Sequence, residues 1–178
     1  QICDDWLDVQ GAKDGIIEMM GGPKGRLSQL IDTGSERQAG GIVGRWKKLF
    51  PNRLYIELQR ANRPKDENQN AFLVTVASRF DVPVVATHPV QFLEPQDFEA
   101  HEVRCCIAGG FTITDPRRDK SYTREQYLKS EEQMCELFKD VPSALANSVI
   151  IAKRCNLDGV LSKPQLPLFP TPDGMSLD

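Results

Sequence analysis

Hydrophobic residues alternate with polar ones in some stretches of the chain and recur every three or four positions in others. Residues 53–59 alternate between two faces, which is the period of a β-strand. Residues 15–20 and 82–87 are short apolar runs, typical of strands that helices cover on both faces. The pattern therefore predicts three strands, and the glycines and proline at 21–23 predict a tight loop after the first.

Helical spacing of apolar residues occupies the segments between and after these strands. Ser35 with Gln38, and later Ser130 with Gln133, match the capping-box pattern that opens a helix. The predicted helices cover residues 25–32, 36–50, a segment through residues 72–80, and residues 95–109, 130–138 and 142–155.

Apolar positions within these helices indicate which side faces the core. In the helix that begins with Pro95, we expect Phe98, Val103 and Ile107 to be buried. The last helix places Leu145, Val149 and Ile150 along its length, with Pro142 in its first turn.

The order of the elements is strand, helix, strand, helix, strand. Such alternation predicts an α/β fold with parallel strands joined by crossover helices. The chemistry of these folds lies where the strands end, at their carboxyl edge. Residues 21–22, 59–62 and 88–91 follow the three strands and are therefore the segments that should form a site.

The two ends of the chain indicate a piece of a longer polypeptide. Residue 1 is Gln rather than Met, and four of the 12 prolines fall between residues 164 and 172. A proline-rich stretch of this kind is typical of a linker or strap, which predicts a domain boundary within residues 156–163. The longest apolar runs are far shorter than the roughly 20 residues that a membrane span needs, so no membrane segment is predicted.

Composition and charge narrow the class of protein. The chain has 178 residues, a formal net charge of −3 and 40% hydrophobic residues. The net charge argues against a strongly basic protein that coats nucleic acid. The spacing of the five cysteines does not match a metal-binding motif. We therefore expect them to be small buried residues of a protein in a reducing cytoplasm.

His88 and Glu57 are the candidates for chemistry at the carboxyl edge. His88 directly follows the third predicted strand, where its imidazole could bind a metal or simply form a hydrogen bond within a loop. Glu57 lies opposite the apolar face of the second strand and could act as a ligand or base. Alternatively, Glu57 is the ion-pair partner of Arg53, Arg60 or Arg63, which is the commoner arrangement.

Other features carry no clear chemistry. His101 lies within a predicted helix, and Cys105 stands where a His-Glu-x-x-His zinc motif would need its second histidine, so His101 is expected to be structural. Residues 116–120 place three basic side chains in a polar loop that is expected to be solvated. The chain contains no P-loop and no Gly-x-Ser-x-Gly nucleophile motif.

Several segments together resemble a known family. The chain is similar to the PHP (polymerase and histidinol phosphatase) domain of the bacterial DNA polymerase III alpha subunits, in order and over nearly its whole length. The segments that carry the resemblance are residues 50–59, 82–93, 97–104, 127–138, 144–156 and 166–172.

The resemblance implies the later part of a distorted seven-stranded (β/α) barrel without its first strands, which would carry a His-x-His motif. Residues 1–156 would form this partial domain, with extra helices after its barrel strands. Residues 157–178 would be the strap towards the polymerase palm. The catalytic aspartates of the polymerase, with their Mg²⁺, would lie beyond Asp178. No cofactor is expected within residues 1–178 themselves.

The resemblance also implies that the metal site of this domain has been lost. Metal-binding members of the family read Ala-Thr-Asn-Asp-Val-His after the strand, and the Asp and final His bind metal. Here Pro89 replaces the acid and Gln91 replaces the imidazole. Proline offers a metal no side-chain donor and glutamine is a weak ligand, while His88 is out of register. We therefore expect no catalytic or metal residues.

The function implied is that of a replicative, DNA-directed DNA polymerase, a cytoplasmic nucleotidyltransferase of DNA replication. This portion would brace the polymerase and dock the proofreading exonuclease subunit beside other replicase subunits. Primer-template DNA would bind to the rest of the longer protein, and no membrane would be involved. The alternative is a metal-dependent PHP phosphoesterase or an intrinsic 3′–5′ exonuclease, which Pro89 and Gln91 disfavour. Exposed sheet edges predict that the isolated chain self-associates or is partly open.

Overall fold

A computed structural model describes residues 11, 13–30 and 35–157. The predicted strap lies largely outside the described residues, as do most of the predicted domain boundary and the end of the first predicted helix. The elements in chain order are β1 (Glu18–Gly21), α1 (Arg26–Gln29), α2 (Glu36–Leu49), β2 (Leu54–Gln59), α3 (Asp66–Phe80), β3 (Val84–Thr87), α4 (Phe98–Gly109), α5 (Glu131–Leu137) and α6 (Pro142–Arg154). No helix in these ranges is long and apolar enough to cross a membrane.

The three strands form one parallel sheet in the order β1-β2-β3. Glu18 pairs with Leu54 across the first ladder, and Ile56 pairs with Val84 across the second. The predicted α/β class and the parallel strands are confirmed. The sheet of the described residues has three strands, so the seven-stranded barrel stays a prediction.

The core lies around β2, the middle strand. Ile56 and Leu58 are fully buried on this strand, as their apolar periodicity predicts. Helices α2, α3 and α6 supply the covering side chains, because each places apolar residues at helical spacing on the side that faces the sheet. The largest members of this cluster with almost no exposure are Phe50, Phe138, Leu27, Ile56, Leu58, Leu73 and Val43.

Local signals in the sequence set the helix ends. Ser35 Oγ accepts a hydrogen bond from the Gln38 backbone N–H at the start of α2. The full capping box predicted for Ser130 and Gln133 is present at the start of α5. Helix α4 ends at Gly110, whose φ of +71° is a conformation that glycine adopts without strain.

Helix α4 buries only part of the apolar face that its sequence predicts, and α6 leaves two apolar residues exposed. Val103 is 46% exposed and Ile107 is 75% exposed, so the expectation that they face the core is wrong. The expected burial of Phe98 is confirmed. Helix α4 also buries His101 and Cys106, since it packs on the aromatic side chains beside it rather than across the sheet. Val149 and Ile150 of α6 are likewise exposed at 54% and 47%.

The cysteines differ from their predicted burial. Cys106 is buried and Cys105 is partly buried, but Cys135 and Cys155 are exposed, and all four are free. Cys135 lies on an outer side of α5, and Cys155 follows the last turn of α6. Their exposure therefore follows from the surface position of these elements.

Candidate functional site

The carboxyl ends of the three parallel strands meet at one edge of the sheet and border a cleft of about 390 Å³. The structure brings together parts of all three segments that the sequence predicts for a site, namely 21–22, 59–62 and 88–91. The lining residues are Gly21, Gly22, Pro23, Lys24, Gly25, Gln59, Arg63, Pro89, Gln91, Ser121, Tyr122 and Gln126.

The loop after β1 lies so close to β2 that it requires glycine. A Cβ atom on Gly21 would lie 2.3 Å from the carbonyl oxygen of Glu57, and one on Gly25 would lie 2.1 Å from the carbonyl oxygen of Gly21. These separations are far below van der Waals contact, so both positions exclude every other residue without backbone movement. The loop thereby forms one close-packed wall of the cleft.

A chain of hydrogen bonds joins the ends of β2 and β3. Thr87 Oγ1 donates to Glu57 Oε1 at 2.6 Å, and Gln59 Nε2 donates to the same oxygen at 3.1 Å. Arg63 Nη2 donates to Gln59 Oε1 at 3.2 Å. The Glu57 carboxylate is thus satisfied by neutral donors, and the Arg63 charge reaches it only through the amide of Gln59.

Asp66 holds Arg63 in place from the first turn of α3. Its Oδ1 accepts from Arg63 Nε at 2.8 Å, and its Oδ2 accepts from the backbone N–H groups of Ala61 at 2.7 Å and Arg63 at 3.1 Å. The side chain of Asp66 is almost fully buried. A buried carboxylate needs such partners because desolvation penalises its charge.

The predicted ion pair of Glu57 with Arg53, Arg60 or Arg63 is wrong. The Arg53 guanidinium donates to the backbone carbonyl of Lys13, and Arg60 binds both carboxylate oxygens of Asp140 at 2.6 and 2.8 Å. Arg63 is engaged by Asp66 and Gln59. Each arginine has a nearer acceptor than Glu57, so the carboxylate is left to the hydroxyl and amide groups beside it.

His88 lies in the loop after β3, as predicted, and forms a hydrogen bond there. Its Nε2–H donates to the carbonyl oxygen of Glu125 at 2.8 Å, and its Nδ1 is buried without a hydrogen-bond partner. Burial lowers the pKa of His88 below its ordinary value, and the nearby Lys129 ammonium lowers it further. Both effects favour the neutral imidazole, and the hydrogen bond ties it to the opposite loop.

The residues present do not fit a divalent metal ion. Pro89 and Gln91 line the cleft at the positions where the family resemblance implies lost ligands. The Pro89 carbonyl oxygen accepts from Gln126 Nε2 at 3.1 Å. Nowhere in the described ranges do three or more His, Cys, Asp or Glu side chains converge as a metal would require. The cleft offers amide and hydroxyl groups with two cations, Lys24 and Arg63, at its wall.

Sequence reasoning missed the segment that closes the cleft, residues 121–126. Gln126 is almost fully buried there, and its Oε1 accepts from the Thr123 backbone N–H at 2.9 Å. Thr123 Oγ1 donates in turn to the carbonyl of Ala61. The segment has neither strand nor helix periodicity, so its sequence carries no signal of this tertiary role.

The structure also tests the predictions made for His101 and for the polar loop at residues 116–120. His101 is buried against Tyr122, with ring centroids 4.7 Å apart, which agrees with the structural role expected for it. Arg118 was expected in a solvated loop, but its guanidinium is largely buried and contacts Glu102 at 2.5 Å. That expectation is wrong for Arg118 and correct for Arg117, whose side chain is 78% exposed.

No family model matches the chain, but comparison with curated proteins finds relatives that match nearly its whole length. It is 45% identical to DNA polymerase III subunit alpha of Pseudomonas aeruginosa over 174 residues, which is 98% of this chain and 15% of that protein. The Vibrio cholerae protein of the same name is 44% identical over 173 residues, 97% of this chain and 15% of that protein. The Escherichia coli protein is 43% identical over 169 residues, 95% of this chain and 14% of that protein.

The chain thus spans about one seventh of the length of the curated relatives it matches. The matched region includes the cleft and every element described above. Over nearly all of its length, this chain is therefore similar to one segment of the DNA polymerase III alpha subunits.

Proposed function

We propose that this chain is part of the alpha subunit of a DNA polymerase III, a replicative polymerase that carries out DNA-directed DNA synthesis. Within it, residues 1–156 would belong to the PHP domain and residues 157–178 would be the strap towards the polymerase palm. The catalytic centre with its Mg²⁺ would lie in the rest of the longer protein. Identity of 43–45% over 95–98% of the chain supports this assignment.

The role of this portion is to support the polymerase structurally rather than to catalyse a reaction. The observation that carries this proposal is the carboxyl edge of the sheet. Pro89 and Gln91 line the cleft there, and the carboxylate of Glu57 is already bound by Thr87 and Gln59. A cleft of this composition lacks the convergent acids and imidazoles that activate water on a metal ion.

The resemblance supports a second part of the proposal, that the domain docks the proofreading exonuclease subunit beside other replicase subunits. Its net charge of −3 suits contacts with proteins better than coating of DNA by the whole surface. Pull-down of the exonuclease subunit by this chain tests the contact directly.

Two experiments test the main proposal. An antibody against the chain should detect a native polypeptide far larger than 20.0 kDa that co-purifies with DNA synthesis. A native polypeptide near 20.0 kDa without polymerase activity would exclude the assignment.

The second experiment tests the loss of catalysis. Calorimetric titration with Mn²⁺ and with Zn²⁺ should show no saturable binding to the chain. The Glu57→Gln polymerase should retain the DNA synthesis of the unmodified protein. Metal binding together with a phosphoesterase activity that Glu57→Gln abolishes would instead support the alternative, a metal-dependent hydrolase.

A further inference from the structure

Positive charge is concentrated on one helix of this acidic chain. Helix α2 contains four basic residues and one acidic residue, whereas the whole chain has a net charge of −3. Three of the four basic side chains, those of Arg37, Arg45 and Lys48, share one side of the helix and are exposed. We call these three residues the basic stripe.

The spacing of the basic stripe follows from helix geometry. Arg45 and Lys48 lie 8 and 11 positions after Arg37, so all three fall on one face that extends for about 16 Å. Gly41 and Gly44 lie between them on the same face, and a Cβ atom at either would meet nothing within 4 Å. Among the residues that the structure describes, these two glycines therefore leave the space between the cations open.

The fourth basic residue of α2, Lys47, contacts the end of α3. Lys47 Nζ donates to the carbonyl oxygens of Phe80 at 2.8 Å and Asp81 at 2.9 Å. Its ammonium thus ties the end of α2 to the end of α3. Arg79 of α3 borders the same hollow as Arg37 and Gly40, which adds a further cation beside the stripe.

The chemistry of this face favours a phosphate backbone over a protein partner. Protein interfaces derive their affinity from a few aromatic or apolar anchors that are buried in pockets. The positions between the cations on this face, Gly41 and Gly44, carry no side chain, and the apolar side chains of Leu49 and Phe80 lie at its margins. Sequence-independent contacts with DNA need only cations placed along the backbone, and about 16 Å of duplex axis carries roughly five phosphates of each strand.

We propose that the basic stripe binds the phosphate backbone of duplex DNA without sequence preference. The choice of duplex DNA as the polyanion rests on the proposed function, because a replicative polymerase holds its primer-template duplex nearby. The stripe would then add a weak, salt-dependent contact to those made by the rest of the polymerase. Three phosphate contacts correspond to a slope of about −3 for log K against log salt concentration.

The test measures binding of the 178-residue chain to a fluorescent duplex of about 30 base pairs, by anisotropy over a range of salt concentrations. The double variant Arg37→Gln/Lys48→Gln removes two cations and places helix-forming residues at both positions. We expect it to reduce the salt slope by about 1.8 and the affinity at the lowest salt at least tenfold. The control double variant Lys120→Gln/Lys139→Gln changes the net charge by the same amount outside α2. It should leave the salt slope of the affinity unchanged.

Circular dichroism of each variant shows whether it is folded, so a loss of binding by a folded variant is specific to the stripe. No saturable binding of the duplex by the unmodified chain would overturn the proposal. An equal loss of duplex affinity in both double variants would also overturn it, because it would indicate an effect of net charge. Selective binding of an acidic protein in place of the duplex would also overturn it. None of these results bears on the size and activity of the native polypeptide, which test the proposed function separately.

Discussion

Asp66 is the residue on which the arrangement of the cleft depends most. Its carboxylate binds two backbone N–H groups and the Arg63 guanidinium within a buried environment. Asp66→Ala would leave these donors without an acceptor. We therefore expect a loss of about 2 to 3 kcal/mol in the free energy of unfolding, measured by urea denaturation.

Glu67 provides a matched control for this prediction. It is the next residue of the same helix, its side chain is 75% exposed, and it contacts Arg60 at the surface. Glu67→Ala should cost less than about 1 kcal/mol, because surface ion pairs contribute little. Equal losses in the two variants would show that the buried network of Asp66 contributes no more than a surface contact.

His88 makes the stability of the chain depend on pH. Its pKa is lowered in the folded state, chiefly by burial, so the unfolded state binds a proton more readily. The contribution of His88 to stability is therefore fully present above the ordinary pKa of about 6.5. This contribution is lost as the pH falls from there through the folded-state pKa. Urea midpoints measured between about pH 8 and pH 5.5 should decrease with falling pH.

The variant His88→Gln separates this contribution from that of other groups. The pKa of His101 is also lowered by burial, so the variant should retain part of the pH dependence. We expect its urea midpoint to decrease less than that of the unmodified chain over the same pH range. An identical decrease in both proteins would rule out His88 as a source of the effect.

The Glu57 site shows what a sequence can indicate about a residue and what it cannot. Strand periodicity located Glu57 on the side opposite the apolar face of β2, near three arginines in the chain. The partner was wrong because each arginine has another acceptor: Arg60 binds Asp140 from a distant segment, whereas Arg63 binds Asp66, three positions later. Proximity in sequence does not determine which of several acceptors a long side chain reaches.

At the scale of elements, the glycines fall into two physically different groups. Gly21 lies at the end of β1, where a Cβ would lie 2.3 Å from a carbonyl oxygen of β2. We expect Gly21→Ala to push the strands apart and cost about 1 to 3 kcal/mol of unfolding free energy. Gly41 lies within α2 in open space, so Gly41→Ala should stabilise the chain by about 0.5 to 1 kcal/mol.

Thermal denaturation of the two alanine variants measures this contrast. Their midpoints should move in opposite directions relative to the unmodified chain. A Gly21→Ala variant as stable as the unmodified chain would mean that β1 and its loop can shift at little cost. The close contact between the loop and Glu57 would then have no role in fixing the cleft.

The positions of strands and helices were predictable because their signals are local. Periodicity, the serine caps and the proline at the start of α6 each act within a few residues. They located β2, β3, α2, α4, α5 and α6 to within three residues, whereas α3 begins six residues before its predicted segment. The burial of Val103 and Ile107 was not predictable in this way. Which side of α4 faces the core depends on long-range packing, here on the aromatic ring of Tyr122 against His101.

At the scale of the whole molecule, the cleft is assembled from four segments that are far apart in the chain. Parallel strands bring three of them to one edge of the sheet, and this much follows from the alternation of strands and helices. The fourth segment, residues 121–126, reaches the edge through the backbone hydrogen bond from Gln91 to Gln126 at 2.8 Å. The general place of the site was therefore predictable, whereas its closure was not.

The sheet itself predicts how the isolated chain behaves in solution. Within the described residues, β1 pairs with β2 on one side and with no strand on the other, and Met19 and Ile16 are 44% and 40% exposed beside it. An apolar, unpaired strand edge is a template for pairing with another copy. We expect the mass measured by light scattering to rise above 20.0 kDa as the concentration increases.

Met19→Lys tests whether this edge is the cause. A lysine on an edge strand disfavours pairing because two copies would bring like charges together. The variant should remain at 20.0 kDa at concentrations where the unmodified chain associates, while Val149→Lys, at an exposed position of α6, should associate as before. If both variants associate, or if the unmodified chain stays monomeric throughout, the edge of β1 is protected in solution and does not drive self-association.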